Sequence, residues 1–294
     1  MKNRASTADI LLLTAAFIWG WSFIIVKWSV ALLDPYFFIM GRFLLAVIIL
    51  GVIFHSELKK YWRACLKPGL ILGLILGLAF IAQTWGMKYT SASASGFITS
   101  FSVVLTAVFA ILIHRVFPPK TILLGILIAT IGLVIIAFRD NLMFQKGDLL
   151  TLVCAIFYAL HVVYLSSFSR NLSAAALTLI QLMTVMLIAG FGFLFFGKHP
   201  VPFSSFSMLH WLSILYAGVL ATAFAYLLQT KAQQKLSSFR AAVILAAEPL
   251  FAAIFATSLH FDPFSWRVII GGLLIVAGII LASWNPQQKS GLGH

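Results

Sequence analysis

Residues 9–20 read DILLLTAAFIWG, and 139 positions later residues 148–159 read DLLTLVCAIFYA. The same shift pairs Trp19 with Tyr158, Ser22 with His161 and Arg42 with Gln181. Further along, a shift of 146 pairs Gln83-Thr84 with Gln229-Thr230, Ser91 with Ser237, His114 with His260, Gly125 with Gly271 and Gly132 with Gly278. Seven extra residues therefore enter the second copy between Gln181 and Gln229. The chain is one hydrophobic unit written twice. Duplicated units of this kind place a solute path where the copies meet, so functional residues are sought there.

Composition narrows the class. Hydrophobic residues make up 62% of the chain, charged residues 9%, and the mean hydropathy is +1.06, far from the half-apolar, quarter-charged soluble average. This is the composition of an integral membrane protein. The formal charge of +13 would suggest nucleic acid in a soluble chain. Here the basic residues gather between long apolar runs, as in loops facing an anionic leaflet, and nucleic-acid binding is set aside. Cys65 and Cys154 offer neither a metal spacing nor a disulfide framework. The apolar run from Ile10 to Leu33 is too long for the core of a cleaved signal and reads as a first span.

Segments of about 20 apolar residues, enough to cross a ~30 Å hydrocarbon core as helix, fit ten times. They fall near 10–30, 36–55, 69–87, 91–113, 121–138, 148–168, 173–196, 208–230, 237–260 and 266–284, with breaks at Asp34-Pro35, Glu57 to Pro68, Pro118-Pro119, Arg139 to Gly147, Arg170-Asn171 and Lys198 to Pro202. Alternate loops carry thirteen Lys and Arg on one side and six on the other, with Arg42 inside a span. This asymmetry expects both termini in the cytoplasm, as for a multi-pass protein of the cell (inner) membrane. Five spans per copy is an odd number, so the second copy enters the membrane upside down. The expected architecture is all-α: ten transmembrane helices as two inverted five-helix repeats, residues 1–140 and 141–284, then a polar tail 285–294.

Polar groups inside such spans are costly and raise functional hypotheses. Glu248 sits mid-span directly before Pro249, where a proline frees backbone carbonyls. Its carboxyl either exchanges protons, binds a cationic group, or serves as neutral glue between helices. Thr222, Tyr226 and Gln229 share one helix face by their spacing of 4 then 3, and so do Ser95, Thr99, Ser102 and Thr106. Matched faces in the first and sixth spans hold Ala15, Trp19, Ser22 and Cys154, Tyr158, His161. Arg42 either snorkels outward or serves as a counter-charge for an anionic group. His114 and His260 lie at span ends, and no metal is expected. Gly69, Gly73 and Gly77, like the glycines of the fifth and tenth spans, read as close-packing surfaces.

The ordered set of Ala16 to Gly20 (Ala-x-x-Trp-Gly), its echo Ala155 to Ala159, Pro35 with Arg42, Tyr89-Thr-Ser-Ala, Glu248-Pro249 and the glycines of spans five and ten resembles the drug/metabolite transporter superfamily, EamA type. The resemblance covers nearly the whole chain. It implies that spans one, three, four, six, eight and nine surround a substrate cavity, and that access alternates without ATP. The chain departs from the pattern at His114 and His260, where relatives often carry Glu, and at Ser102-Val103, which stands where the second copy has Glu248-Pro249. Proton coupling is therefore left open, and substrate does not follow from fold.

Taken together, the expectation is an exporter of amino acids or related small metabolites, secondary-active or facilitative, working without cofactor or metal, with the bilayer and a small-molecule substrate as partners. The substrate-binding residues expected are Trp19, Ser22, Gln83, Thr99, Tyr158, His161, Tyr226, Gln229 and Glu248, with Arg42 as counter-charge. Export of lipophilic cations is the alternative, since one buried acid among aromatic rings can hold a desolvated cation. An enzyme is not expected, because the sequence offers no paired acids, nucleophile elbow or metal cluster. A homodimer is left open.

Overall fold

The computed structural model describes residues 6–90, 92–137, 145–197, 206–259 and 265–283. Lys2, Arg4, Ser91, Arg139, Lys198, His260 and the tail 285–294 lie outside the described residues. Within them the regular elements are helical: α1 (Thr7–Leu32), α2 (Pro35–Ile53), α3 (His55–Tyr89), α4 (Ala92–Ser100), α5 (Ser102–His114), α6 (Lys120–Ala137), α7 (Lys146–Phe168), α8 (Ala174–Phe196), α9 (Met208–Gly218), α10 (Ala225–Gln233), α11 (Ser238–Leu245), α12 (Ala247–Ser258) and α13 (Trp266–Ser283). A π-helical segment, Val219–Phe224, joins α9 to α10. Nine spans among the described residues are long and apolar enough to cross a membrane, and Lys120–Ile136 is a shorter apolar helix. In hydrocarbon every backbone polar group must be satisfied within the segment, which is why apolar runs of this length fold as helix.

Helix starts explain why the repeat opens on aspartate. Asp9 Oδ2 accepts from the Ser6 backbone N–H at 2.8 Å while Ser6 caps α1, the reciprocal arrangement of a capping box. In the second copy Asp148 Oδ2 accepts from the Gln145 N–H at 2.7 Å. Asp34 caps α2 ahead of Pro35, accepting from Tyr36 N and Phe37 N at 2.9 and 3.2 Å, with proline at the one turn that tolerates it.

Three features differ from the sequence expectation. The stretch from Glu57 to Pro68, expected as a break, is helical and continuous with the third span, so α3 runs 35 residues with Pro68 inside it. The charged residues there occupy a helix that outlasts the hydrocarbon: at 1.5 Å per residue α3 is about 52 Å long. The fourth and ninth spans are each interrupted near mid-length, at Phe101 and at Ala246. Pro249 lacks the N–H that would reach Leu245 and accounts for the second break. The eighth span contains the π-helical turn.

Glycines set the closest approaches. A Cβ on Gly125 would stand 2.7 Å from Gly278 O, and one on Gly132 would stand 2.5 Å from Gly271 O, with the converse contacts equally tight. Residue numbers rise along α6 as they fall along α13, so the two helices run antiparallel. Gly69, Gly73 and Gly77 of α3 meet Ile180, Thr184 and Ile188 of α8 in parallel order, as expected for small-residue helix contacts. Replacing Gly132 by Leu should separate α6 from α13 and destabilise the protein by roughly 1–3 kcal/mol, read as a lower thermal midpoint in detergent. Gly51→Ala, with nothing within 4 Å of its Cβ, should leave the midpoint unchanged or raise it.

Candidate functional site

A cavity of about 70 Å³ lies at the centre of the bundle, lined by Trp19 and Ser22 of α1, Arg42 of α2, Gln83 of α3, Thr99 of α4, Tyr158 and His161 of α7, Tyr226 and Gln229 of α10, and Glu248 of α12. All ten residues singled out in the sequence line this one space. Thr222, Ala15 and Ser95, which share helix faces with them, do not line it. Seven spans contribute, because α2 joins the six implied by resemblance through Arg42.

Arg42 does not snorkel. It is 2% exposed; its Nε donates to Thr222 Oγ1 at 2.9 Å and its Nη2 to Ala221 O at 3.4 Å. Its guanidinium carbon lies 4.9, 5.7 and 5.8 Å from the ring centroids of Phe80, Phe43 and Phe38. Among the described residues no carboxylate is within ion-pair distance of it. Burial of a cation this deep is offset by those acceptors and by the ring faces. The same Ala221 carbonyl accepts from Trp19 Nε1 at 2.8 Å, and Thr222 Oγ1 donates to Ala217 O at 2.7 Å, five residues back. The π-helical turn thus presents a carbonyl and a hydroxyl sideways. Such turns recur at functional positions.

The remaining walls form a connected polar and aromatic lining. Tyr158 OH donates to Gln83 Oε1 at 3.1 Å, and Gln83 Nε2 donates to Thr99 Oγ1 at 3.3 Å. His161 Nε2 lies 2.9 Å from Gln181 Oε1, and Ser22 Oγ donates to Trp19 O at 2.8 Å. Trp19 and Tyr226 pack with centroids 5.0 Å apart, and Phe80 lies 5.9 Å from Tyr158 and 6.1 Å from Tyr226. In the lining, Gln229 Oε1 is buried without a partner, and Glu248 makes no hydrogen bond or ion pair among the described residues.

Helix–helix contacts lie toward both ends of the cavity. Toward one face, Lys27 Nζ donates to Met87 O and Thr90 O at 2.6 and 2.7 Å, and Thr90 Oγ1 donates to Asp148 Oδ1 at 2.6 Å. Toward the other, Leu12, Val162, Leu236 and Ile244 pack in an apolar cluster, and Arg240 Nη2 meets Asp9 Oδ2 at 2.6 Å.

Sequence reasoning missed the role of Gln181, which fixes His161, although the repeat pairs it with Arg42. It also missed the break at Phe101, for which no proline gives a signal, and Phe80, indistinguishable by type from its many apolar neighbours. His114, expected at a span end, is exposed and lies 3.2 Å from Ser167 Oγ. Thr222→Val should remove the Arg42 Nε acceptor and destabilise the protein by about 1–3 kcal/mol, seen as a lower unfolding midpoint, while Thr222→Ser should retain wild-type stability.

The EamA-like transporter family profile matches this chain twice, at residues 6–138 and 145–284. An uncharacterized transporter of Archaeoglobus fulgidus is 29% identical over 283 residues, covering 94% of this chain and 85% of that protein. The uncharacterized transporter YetK of Bacillus subtilis is 25% identical over 312 residues, covering 98% and 90%. A solved crystal structure superposes with a TM-score of 0.77 over 95% of this chain and 97% of its own, at 17% identity, a likeness of fold. With nearly the whole chain accounted for, this multi-pass membrane protein belongs to the EamA-like transporter family.

Proposed function

We propose that this transporter exports amino acids or related small metabolites by alternating access around the central cavity, without ATP. The observation that carries the reading is the pairing, in one closed space, of a buried guanidinium with a carboxyl that has no partner. Two of the five guanidinium donors of Arg42 are committed to Thr222 and Ala221, which leaves donors for a substrate carboxylate. Glu248 and Gln229 Oε1 accept an ammonium, and Trp19, Tyr158 and Tyr226 supply apolar faces for a side chain. Substrate binding then pulls on α1, α2, α7, α10 and α12 together, and differential affinity for the open and closed arrangements is what couples binding to movement.

The architecture that goes with this reading is ten spans in two inverted repeats, residues 1–140 and 141–284, with 285–294 as tail and both termini cytoplasmic in a cell (inner) membrane. Three observations support it. The family profile matches once per half. Equivalent helices α6 and α13 meet antiparallel, with Gly125 on Gly278 and Gly132 on Gly271, the reciprocal contact pattern of a two-fold axis. The fourth and ninth spans break at nearly equivalent positions, and broken helices near the midplane are where such transporters bind solute. The Lys27 and Asp148 contacts on one face and the Asp9–Arg240 pair on the other are then the two gates.

Export of lipophilic cations is the second reading, favoured by Glu248 lacking a counter-ion among the described residues. Arg42 argues against it, because a quaternary ammonium would share a small cavity with an uncompensated guanidinium. Reconstituted in liposomes, the protein should show saturable flux of particular amino acids, and Glu248→Gln should lower it at least tenfold, the equivalent of about 1.4 kcal/mol. Unchanged rate and pH response in that variant would remove Glu248 from the mechanism. No amino-acid flux under an imposed proton gradient, with quaternary ammonium binding in competition, would transfer the assignment to cation export.

A further inference from the structure

A second cavity, about 650 Å³, opens between the first turns of α3, the corner from Asn171 to Ala175 and the end of α10. It lies on the same face as Lys59, Arg63, Arg170 and Lys235, and it shares no residue with the central cavity. Two lysines from helices far apart in sequence line it. Lys60 Nζ lies 5.0 Å from the centroid of Tyr61, and Lys231 Nζ lies 6.0 Å from that of Phe54. Both side chains are exposed, so their charge is available. The wall behind them is fixed: Ser173 Oγ donates to Glu57 Oε2 at 2.6 Å, and Gln234 Nε2 donates to Ser169 O and Leu172 O at 3.1 and 2.8 Å.

The depth of this cleft in the bilayer follows from α2. Its 19 residues span about 28 Å at 1.5 Å each, one hydrocarbon thickness. Phe54 therefore stands at the hydrocarbon boundary, and Glu57 to Tyr61 stand in the headgroup layer. Tyr61 and Trp62 are 38% and 43% exposed beside Lys59, Lys60 and Arg63, the mixture of aromatic and basic side chains typical of that layer. Val52 and Ile53, the last residues of α2 before Phe54, are 72% and 61% exposed, apolar surface next in the chain to a residue that lines the cleft.

We propose that this cleft binds the phosphate of an anionic phospholipid headgroup, with Lys60 and Lys231 as its cationic contacts and Val52 and Ile53 against the acyl chains. The same lysines would also attract a soluble phosphate. The lipid is the occupant argued for, because the cleft sits at headgroup depth and the end of α2 beside its Phe54 exposes Val52 and Ile53. Glu57 opposes the phosphate and so tempers affinity.

The test is native mass spectrometry of the full chain titrated with phosphatidylglycerol or phosphatidylcholine, with thermal unfolding as a check on folding. Phosphatidylglycerol should be retained at least tenfold more tightly than phosphatidylcholine. The Lys60→Gln/Lys231→Gln protein should lose about tenfold of that preference. Lys60→Arg/Lys231→Arg should keep it, as should Lys67→Gln/Lys235→Gln on the same face, and Glu57→Gln should strengthen it. Equal retention of the two lipids, or a double Gln variant that binds like wild type, would overturn the proposal. So would displacement of the lipid by millimolar inorganic phosphate, which would assign the cleft to a soluble anion.

Discussion

A guanidinium buried to 2% exposure in the middle of a membrane protein must be answered by its surroundings, and much of the central architecture is that answer. The π-helical turn Val219–Phe224 offers Arg42 the Ala221 carbonyl and the Thr222 hydroxyl, and Trp19 shares the same carbonyl. Three spans are thereby tied at one node: α1 through Trp19, α2 through Arg42, and the eighth span through its own backbone. Beyond the node, α10 resumes regular helix and carries Tyr226 and Gln229 into the cavity. A straight α-helix at residues 219–224 would direct its carbonyls along its own axis and leave the guanidinium without that acceptor.

Small residues do complementary work at the periphery. Lipid tails give no hydrophobic drive for helices to associate, so backbone approach and packing must hold the bundle. Gly125, Gly132, Gly271 and Gly278 supply that for α6 and α13, and Gly69, Gly73 and Gly77 for α3 against α8. The inner spans are left to carry polar groups and breaks. Phe101 and Ala246 interrupt the fourth and ninth spans close to Thr99 and Glu248, so the backbone is least regular where the lining is most polar.

The helical class and the lining were legible because polar groups in an apolar span are costly, although ten spans were expected and nine helices of spanning length occur among the described residues; a polar or aromatic residue at matching places in both copies has a reason to face inward. Trp19 with Tyr158 and Ser22 with His161 were found that way. What was not legible has physical reasons too. Residues 55–68 are charged, which marks the edge of the membrane and not the end of a helix, so α3 appeared shorter than it is. The π turn needs one carbonyl in an unusual direction, and VLATAF has no composition that demands it. Whether Arg42 reached solvent or faced inward stayed open in the sequence because its acceptors come from a span 180 residues away.

The central proposal is that one cavity, flanked by the Lys27 and Asp148 contacts at one end and by Asp9–Arg240 at the other, opens to each face in turn. Cysteine placed at Ser102 in a protein with Cys65 and Cys154 replaced by serine tests it directly, by alkylation with a membrane-impermeant reagent applied to one face and then the other of oriented vesicles. The account predicts reaction from both faces, slowed from each by the transported solute. Reaction from a single face alone, or from neither, would contradict it.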